Sequence, residues 1–264
     1  MFVDQFIDWA HAQLQHSDVA QEYLRGRGVS QEQWARHRLG FVGGDFDVDP
    51  RSDSGHGEVC LDREKKHLWC DACHYRNWSA TWEKLEEGER KVQIVGRRIS
   101  GGVVFPLTSY SGQSVGFQIR SLERKEYDTF ALRRRPEGYF FGIGPNMASI
   151  WASREVCLVE GPPDQLVVER LVRPDVLALT TAGAGIAQVR FLKRFVRRIY
   201  LCLDLDKAGR DGVAGIIRQH GDDFDIVNVK YPRLTEKDKD PGDLWKRAGD
   251  DAFRRHFKQM ERSQ

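Results

Sequence analysis

The chain has 264 residues, 41 of them Lys or Arg and 39 Asp or Glu, a formal charge of +2 and 40% hydrophobic content, which is the composition of an ordinary globular protein with enough apolar sequence to bury a core in one large domain or two small ones. No segment approaches membrane-spanning length, and with Asp4 and Asp8 among Phe2, Phe6, Ile7 and Trp9 the first residues offer neither a basic leader nor an unbroken apolar run, so no signal peptide is expected in them. Five cysteines, three of them between Cys60 and Cys73, suit a reducing cytosol and a metal better than disulfides, so a cytoplasmic location is expected.

The balanced net charge hides local segregation. Basic residues gather at Arg90, Lys91, Arg97 and Arg98, at Arg120, Arg124, Lys125 and Arg133 to Arg135, and at Arg190, Lys193, Arg194, Arg197 and Arg198. Acids gather near 204–211 and 236–243. A phosphate-tracking surface beside a cation-binding pocket needs this division, with Lys and Arg for the one and clustered carboxylates for the other.

Residues 1–42 read as short helices: Phe2, Phe6 and Ala10 share a face, and Ser30 with Gln33 forms a capping-box pattern ahead of Trp34. From Gly43 to about Gly55 the chain turns to Gly, Asp, Ser and Pro, the mark of an exposed loop opening an insertion over 43–97. Within 98–152, Val103–Leu107 and Ser114–Ile119 flank Ser109-Tyr110-Ser111-Gly112 and predict a hairpin or small sheet. The stretch 153–246 alternates. Short apolar runs at Val156–Val159, Val176–Thr180, Arg198–Leu203 and Asp225–Val229 are separated by helical spacing at Gln165–Val172 and Ile186–Phe195. That order predicts a mostly parallel, helix-covered sheet, with ligands at the carboxyl ends of its strands. A terminal helix is expected in 247–264, at about 248–260. The fold class is therefore α/β and α+β: a Rossmann-like parallel sheet preceded by a small helical and β-rich part.

Acids stand where such a sheet binds ligands. Glu160 directly follows one strand and Asp204 another, Asp206 lies two positions on, and Asp240 and Asp243 follow the next strand. Magnesium and manganese favour such hard oxygen ligands. Glu160-Gly161-Pro162-Pro163-Asp164, Asp204-Leu205-Asp206-Lys207-Ala208-Gly209-Arg210 and Asp240-Pro241-Gly242-Asp243 resemble the three acidic motifs of the Toprim fold, which occurs in primases, topoisomerases and some nucleases. Outside them, Tyr23-Leu24-Arg25-Gly26-Arg27-Gly28-Val29-Ser30, Leu39-Gly40-Phe41, Val104-Phe105-Pro106-Leu107, Val115-Gly116-Phe117-Gln118-Ile119-Arg120 and Tyr139-Phe140-Phe141-Gly142-Ile143 resemble, in order, segments of the DnaG-type primase core.

The resemblance implies short RNA primers made on a single-stranded DNA template from ribonucleoside triphosphates. It implies Glu160, Asp204 and Asp206 as catalytic carboxylates, a Mg2+ or Mn2+ site that also draws on Asp164, Asp240 and Asp243, and Arg27, Arg120, Lys125 and Lys207 as contacts to nucleic acid or nucleotide phosphate. No G-x4-G-K-[ST] motif is present, so a replicative helicase would act in trans. The rival readings are a Toprim nuclease using the same carboxylates to activate water, and a non-catalytic accessory that binds single-stranded DNA. Cys70-Asp71-Ala72-Cys73 with His56 and Cys60 upstream offers a four-ligand structural zinc site, with His67 and His74 competing for the fourth position and Trp69, Tyr75, Trp78 and Trp82 as stacking surfaces. Cys157 and Cys202, within predicted strands, are packing residues.

Overall fold

The computed structural model describes residues 2–43, 101–131, 139–180 and 185–258, and between the first two stretches the backbone of five strands. The chain divides into two compact units, one of Met1–Gln21, Arg38–Pro106 and Ser114–Arg134, the other of Glu22–His37, Leu107–Gln113 and Arg135–Gln264.

The chain opens with α1 (Phe2–Gln15), α2 (Asp18–Gly26) and α3 (Gln31–Arg36), followed by β1 (Gly40–Val42). The capping box forms as the sequence predicts: Gln33 N–H donates to the Ser30 hydroxyl (3.3 Å) and Ser30 N–H to the Gln33 side chain (3.1 Å). Then come β2 (Phe46–Val48), β3 (Cys60–Asp62), β4 (His67–Trp69), β5 (Ser79–Lys84) and β6 (Arg90–Val95), an antiparallel sheet in the order β2-β6-β5-β4-β3. Of the zinc candidates, His56, Cys70 and Cys73 lie outside the described residues, and Cys60 is described only through its backbone, paired with Trp69.

The hairpin expected around Ser109–Gly112 is present as β7 (Gly102–Thr108) and β8 (Ser114–Ser121), and β9 (Tyr127–Ala131) extends it. These strands form a sheet in the order β1-β7-β8-β9. In the first unit α1 lies on this sheet through the apolar face read from the sequence: Phe6 stacks on Phe117 at 4.1 Å, and Ala10 sits over Gly40, where a side chain would come within 2.6 Å of the Ala10 methyl.

The second unit carries the parallel sheet. Its elements are α4 (Ile143–Ser153), β10 (Glu155–Val159), α5 (Pro162–Leu171), β11 (Val176–Ala178), α6 (Gly185–Leu192), β12 (Arg198–Leu201), α7 (Lys207–His220), β13 (Asp225–Asn228) and α8 (Pro241–His256). All pairings are parallel in the order β11-β10-β12-β13. Alternate residues Val156, Leu158, Ile199 and Leu201 pack with Val189 of α6 and Ile216 of α7 in one core, while α5 covers β10 and β11 and packs on α8. The sheet is thus covered on both faces, which is why its strands read as unbroken apolar runs. Two buried networks fix the helices. Glu169 of α5 takes hydrogen bonds from Gln165 (2.7 Å) and from the His37 ring (2.8 Å) and pairs with Arg36 (2.8 Å). At the amino end of the sheet, Arg173 donates to both oxygens of Asp175 (2.6 and 2.9 Å) and to Glu155 (2.8 Å), and the Ser153 hydroxyl also donates to Asp175 (2.5 Å).

α8 starts at Pro241, earlier than the sequence suggests. Asp240 caps it by accepting from Asp243 N–H (2.7 Å), Pro241 occupies its first turn, and Gly249, at φ 72°, interrupts it. The glycine hides the upstream half of the helix from a reading by periodicity.

Asp175 is fully buried and Arg173 nearly so, so Asp175→Ala leaves a buried guanidinium short of its main partner and is expected to lower stability by about 3–5 kcal/mol in chemical denaturation. Burial alone would raise the Asp175 pKa, but Arg173 and Ser153 hold it below the usual carboxylate value. Its contribution is therefore present above the ordinary carboxylate pKa and is lost as the pH falls through the lowered one, so the wild-type and Asp175→Ala proteins should converge in stability in acid.

Candidate active site

The strand order reverses direction at β10: the chain passes from β10 to β11 on one side and then crosses to β12 on the other. The gap above the carboxyl ends of β10 and β12 is the switch point where doubly wound sheets bind ligands. Glu160 leaves β10 there, and Asp204 follows β12. The Asp204 N–H donates to Glu160 Oε1 at 3.1 Å, joining the first two acidic motifs directly.

The second motif turns at once into α7. Asp206 caps that helix by accepting from Gly209 N–H (3.0 Å), which leaves Lys207 exposed as its first residue. Gly209 cannot be larger: a Cβ there would lie 2.0 Å from the Asp204 carbonyl oxygen and 2.8 Å from Glu160 Oε1. The third motif approaches from the loop before α8. Leu205 N–H donates to the Lys239 carbonyl (2.7 Å), and buried Tyr231 donates its hydroxyl to the Leu203 carbonyl (2.8 Å), so the loop is tied to the backbone on either side of Asp204. Asp164, buried in the first turn of α5, accepts from Gly242 N–H (3.0 Å) and links the first motif to the third.

Lys239 was not singled out by its sequence context, yet its ammonium donates to Asp204 Oδ2 (3.2 Å) and stands 3.9 Å from Asp206 Oδ2. Arg27 sits on the Asp164, Asp240 and Gly242 side of the cluster: its Nη1 lies 3.8 Å from where a Gly242 Cβ would be, and while burial raises the pKa of both acids, the Arg27 charge offsets part of that rise. Asp243 N–H is bound by Asp240, and Asp243 Oδ2 accepts from Lys239 N–H (3.3 Å), so Asp243 faces its own turn. Arg120 and Lys125 belong to the first unit. There the Arg120 guanidinium lies 4.7 Å from the Tyr127 ring, and Lys125 is exposed in the turn after β8. Among the described residues no three His, Cys, Asp or Glu side chains are arranged as a ready metal-ligating group.

The carboxylates are nevertheless electrostatically crowded. Burial, then the charge of Glu160, pushes Asp204 up to about 7 against the pull of Lys239. Burial raises Glu160, and Asp206 and Asp240 add to the shift. Burial, Asp240 and Asp204 together hold Asp164 well above the usual carboxylate range. An all-oxygen donor set whose members repel one another suits a hard divalent cation, which would relieve the repulsion. Lys239 supplies part of that positive charge.

Two glycines of α7 separate the site's demands from those of the helix. Gly209→Ala must displace Asp204 or Glu160 and is expected to lower the melting temperature. At Gly212 the nearest atom to an added Cβ is Leu203 Cδ1 at 3.4 Å, so Gly212→Ala should be neutral or stabilising by about 0.5–1 kcal/mol. Thermal melts of the two variants check this.

Residues 157–244 match the family described as Toprim-like. The chain is 24% identical over 255 residues to the DNA primase of Clostridium acetobutylicum, covering 92% of this chain and 37% of that protein. It thus spans well under half the length of that relative. Among solved structures it is similar to a DNA primase domain from Pseudomonas aeruginosa (TM-score 0.69, 22% identity, 98% of this chain and 78% of that one). It is also similar to a DnaG primase catalytic domain bound to ssDNA (TM-score 0.68, 20% identity, 98% and 80%). The chain therefore has the fold of the DnaG-type primase catalytic core, with a Toprim-like domain within it.

Proposed function

We propose that this chain is the polymerase core of a DNA primase, a cytoplasmic enzyme that joins ribonucleoside triphosphates into short RNA primers on a single-stranded DNA template. The observation that carries the reading is the meeting of all three acidic motifs at the switch point of the parallel sheet, in a chain whose fold follows the DnaG core over nearly its whole length. The DNA bound to one of the similar structures supports the choice of template.

Glu160, Asp204 and Asp206 would hold Mg2+ or Mn2+, with Asp164 and Asp240 behind them. A divalent ion bound there supplies charge stabilisation for the attacking 3′-hydroxyl and the departing pyrophosphate. The protein's own part is placement. The Asp204 N–H fixes the Glu160 side chain, the turn at Gly209 holds Asp206 beside Asp204, and the Asp164–Gly242 hydrogen bond keeps the third motif against the first. Burial raises the pKa of Glu160 and pushes that of Asp204 up to about 7, which suits either carboxylate to receive the proton lost by the 3′-hydroxyl. Lys239, when it releases Asp204, is placed to meet a phosphate oxygen, and Lys207 at the exposed start of α7 can do the same. Arg27, Arg120 and Lys125 are the proposed contacts to nucleic-acid backbone or nucleotide phosphate, for which arginine's planar fork is suited. A structural zinc on His56, Cys60, Cys70 and Cys73 rests on the sequence alone, and a replicative helicase acting in trans is the proposed protein partner.

Primer synthesis on a mixed-sequence single-stranded template, with labelled ribonucleotides and Mg2+ or Mn2+, tests the reading. Short labelled products are expected, with a loss of at least about a hundredfold in Asp204→Ala and template binding largely retained. Degradation of the template without nucleotides would replace the primase by a nuclease, and binding without chemistry would leave an accessory protein.

A further inference from the structure

The basic run at Arg190 to Arg198 has no place in the acidic site, and the topology explains why. Trp151 and Arg154 immediately precede β10, and Phe195 and Arg197 immediately precede β12. They lie at the amino ends of the same two strands whose carboxyl ends carry Glu160 and Asp204, a strand length of about 15 Å away. The backbones meet there: Arg197 N–H donates to the Arg154 carbonyl at 2.7 Å.

Four aromatic rings gather at this end of the second unit. The Phe195 ring lies 5.3 Å from Phe191, 5.8 Å from Tyr110 and 6.1 Å from Trp151. Phe195 is buried beneath the others, whereas Tyr110 is 49% and Trp151 57% exposed, unusual for such large rings. Arginines frame them: the Arg154 guanidinium lies 5.4 Å from the Trp151 ring and that of Arg194 5.9 Å from Phe191. The nearby acids are already neutralised by other cations, Glu155 by Arg173 and Arg198, Asp223 by Lys193 and Asp225 by Arg198. Among the described residues, Arg154, Arg190, Arg194 and Arg197 form no ion pair, so their charge is directed outward.

We infer that this aromatic and arginine surface is a second binding site for single-stranded nucleic acid, distinct from the acidic crevice. Exposed rings whose neighbouring acids are already paired, edged by uncompensated guanidinium groups, match a strand that offers a base face and a phosphate at each nucleotide. A protein partner would have to bring its own row of acids to the same positions. The surface gives the chain a hold on a strand beyond the crevice, and it stands whether or not the crevice makes primers.

The test is photo-crosslinking of the full chain to a long mixed-sequence single-stranded DNA carrying 5-bromodeoxyuridine, with the crosslinked peptides mapped by mass spectrometry. Crosslinks at Tyr110 or Trp151 are expected, and they should persist in Asp204→Ala. The double variant Tyr110→Ala/Trp151→Ala should bind the same strand about tenfold more weakly. Arg190→Glu/Arg194→Glu, confined to exposed positions, should weaken binding and flatten its salt dependence without loss of fold. Crosslinks confined to other segments, with unchanged affinity in both variants, would overturn the inference. So would self-association in sedimentation that the aromatic variant abolishes, since that would assign the surface to a second copy of the chain. Crosslinks at these rings in a protein that makes no primers would support this surface while removing the proposed reaction.

Discussion

Parallel pairing of β10 with β12, in which Leu158 lies opposite Leu201, is the constraint on which the rest of the site depends. Because the two strands are neighbours with the same direction, Glu160, directly after β10, and Asp204, three residues after the end of β12, emerge side by side, and both are carboxylates. Strand pairing buried under helices on both faces provides the free energy that keeps Glu160 and Asp204 close despite their repulsion. The backbone adds a local device, since the amide of one acid is the hydrogen-bond donor to the other. A sheet that placed β11 between these strands would separate the two motifs by a further strand spacing of about 4.8 Å and would remove the crevice.

The crowding has consequences beyond the pair. Tyr231 and the backbone amide of Leu205 hold the third motif against Asp204, and Asp164 reaches Gly242 from the opposite side, so each motif is hydrogen-bonded to at least one other. Carboxylates gathered in this way are poised to take up a cation or a proton, and the lysine beside them keeps the ensemble from carrying its full negative charge. Arg27 performs the same service for Asp164 and Asp240. Preorganisation of this kind is what an electrostatic mechanism needs, because little has to move when charge develops on a transferring phosphoryl group.

Much of this was legible in the amino-acid sequence. The strand and helix runs from Val156 to Val229, the hairpin around Gly112, the Ser30 cap and the strand-end positions of Glu160 and Asp204 all follow from local periodicity and turn chemistry. What escaped depends on partners distant in the chain. Nothing adjacent to Lys239 reveals that its ammonium lies on Asp204, thirty-five residues earlier. Gly209 looks like an ordinary helix glycine until its distance to the Asp204 carbonyl is known. The five-stranded sheet within the segment read as a zinc-binding insertion had a signal in the alternation of Ser79–Lys84 and Arg90–Val95, but the cysteines, histidines and tryptophans nearby draw attention to metal chemistry instead. The aromatic surface at the amino ends of β10 and β12 could not be seen locally either, since its rings come from a turn and two separate helical segments.

The proposed divalent-cation site at the crowded carboxylates can be probed by Mn2+ binding, followed by electron paramagnetic resonance of the free ion in a titration of the purified chain. At least one bound ion per chain is expected, displaced by excess Mg2+ and markedly weakened by Asp206→Asn, a change at a partly exposed position that leaves an acceptor oxygen for the Gly209 amide. A folded wild-type chain that removes no Mn2+ from solution, or one that binds it equally well with Asp206 replaced, would contradict the assignment.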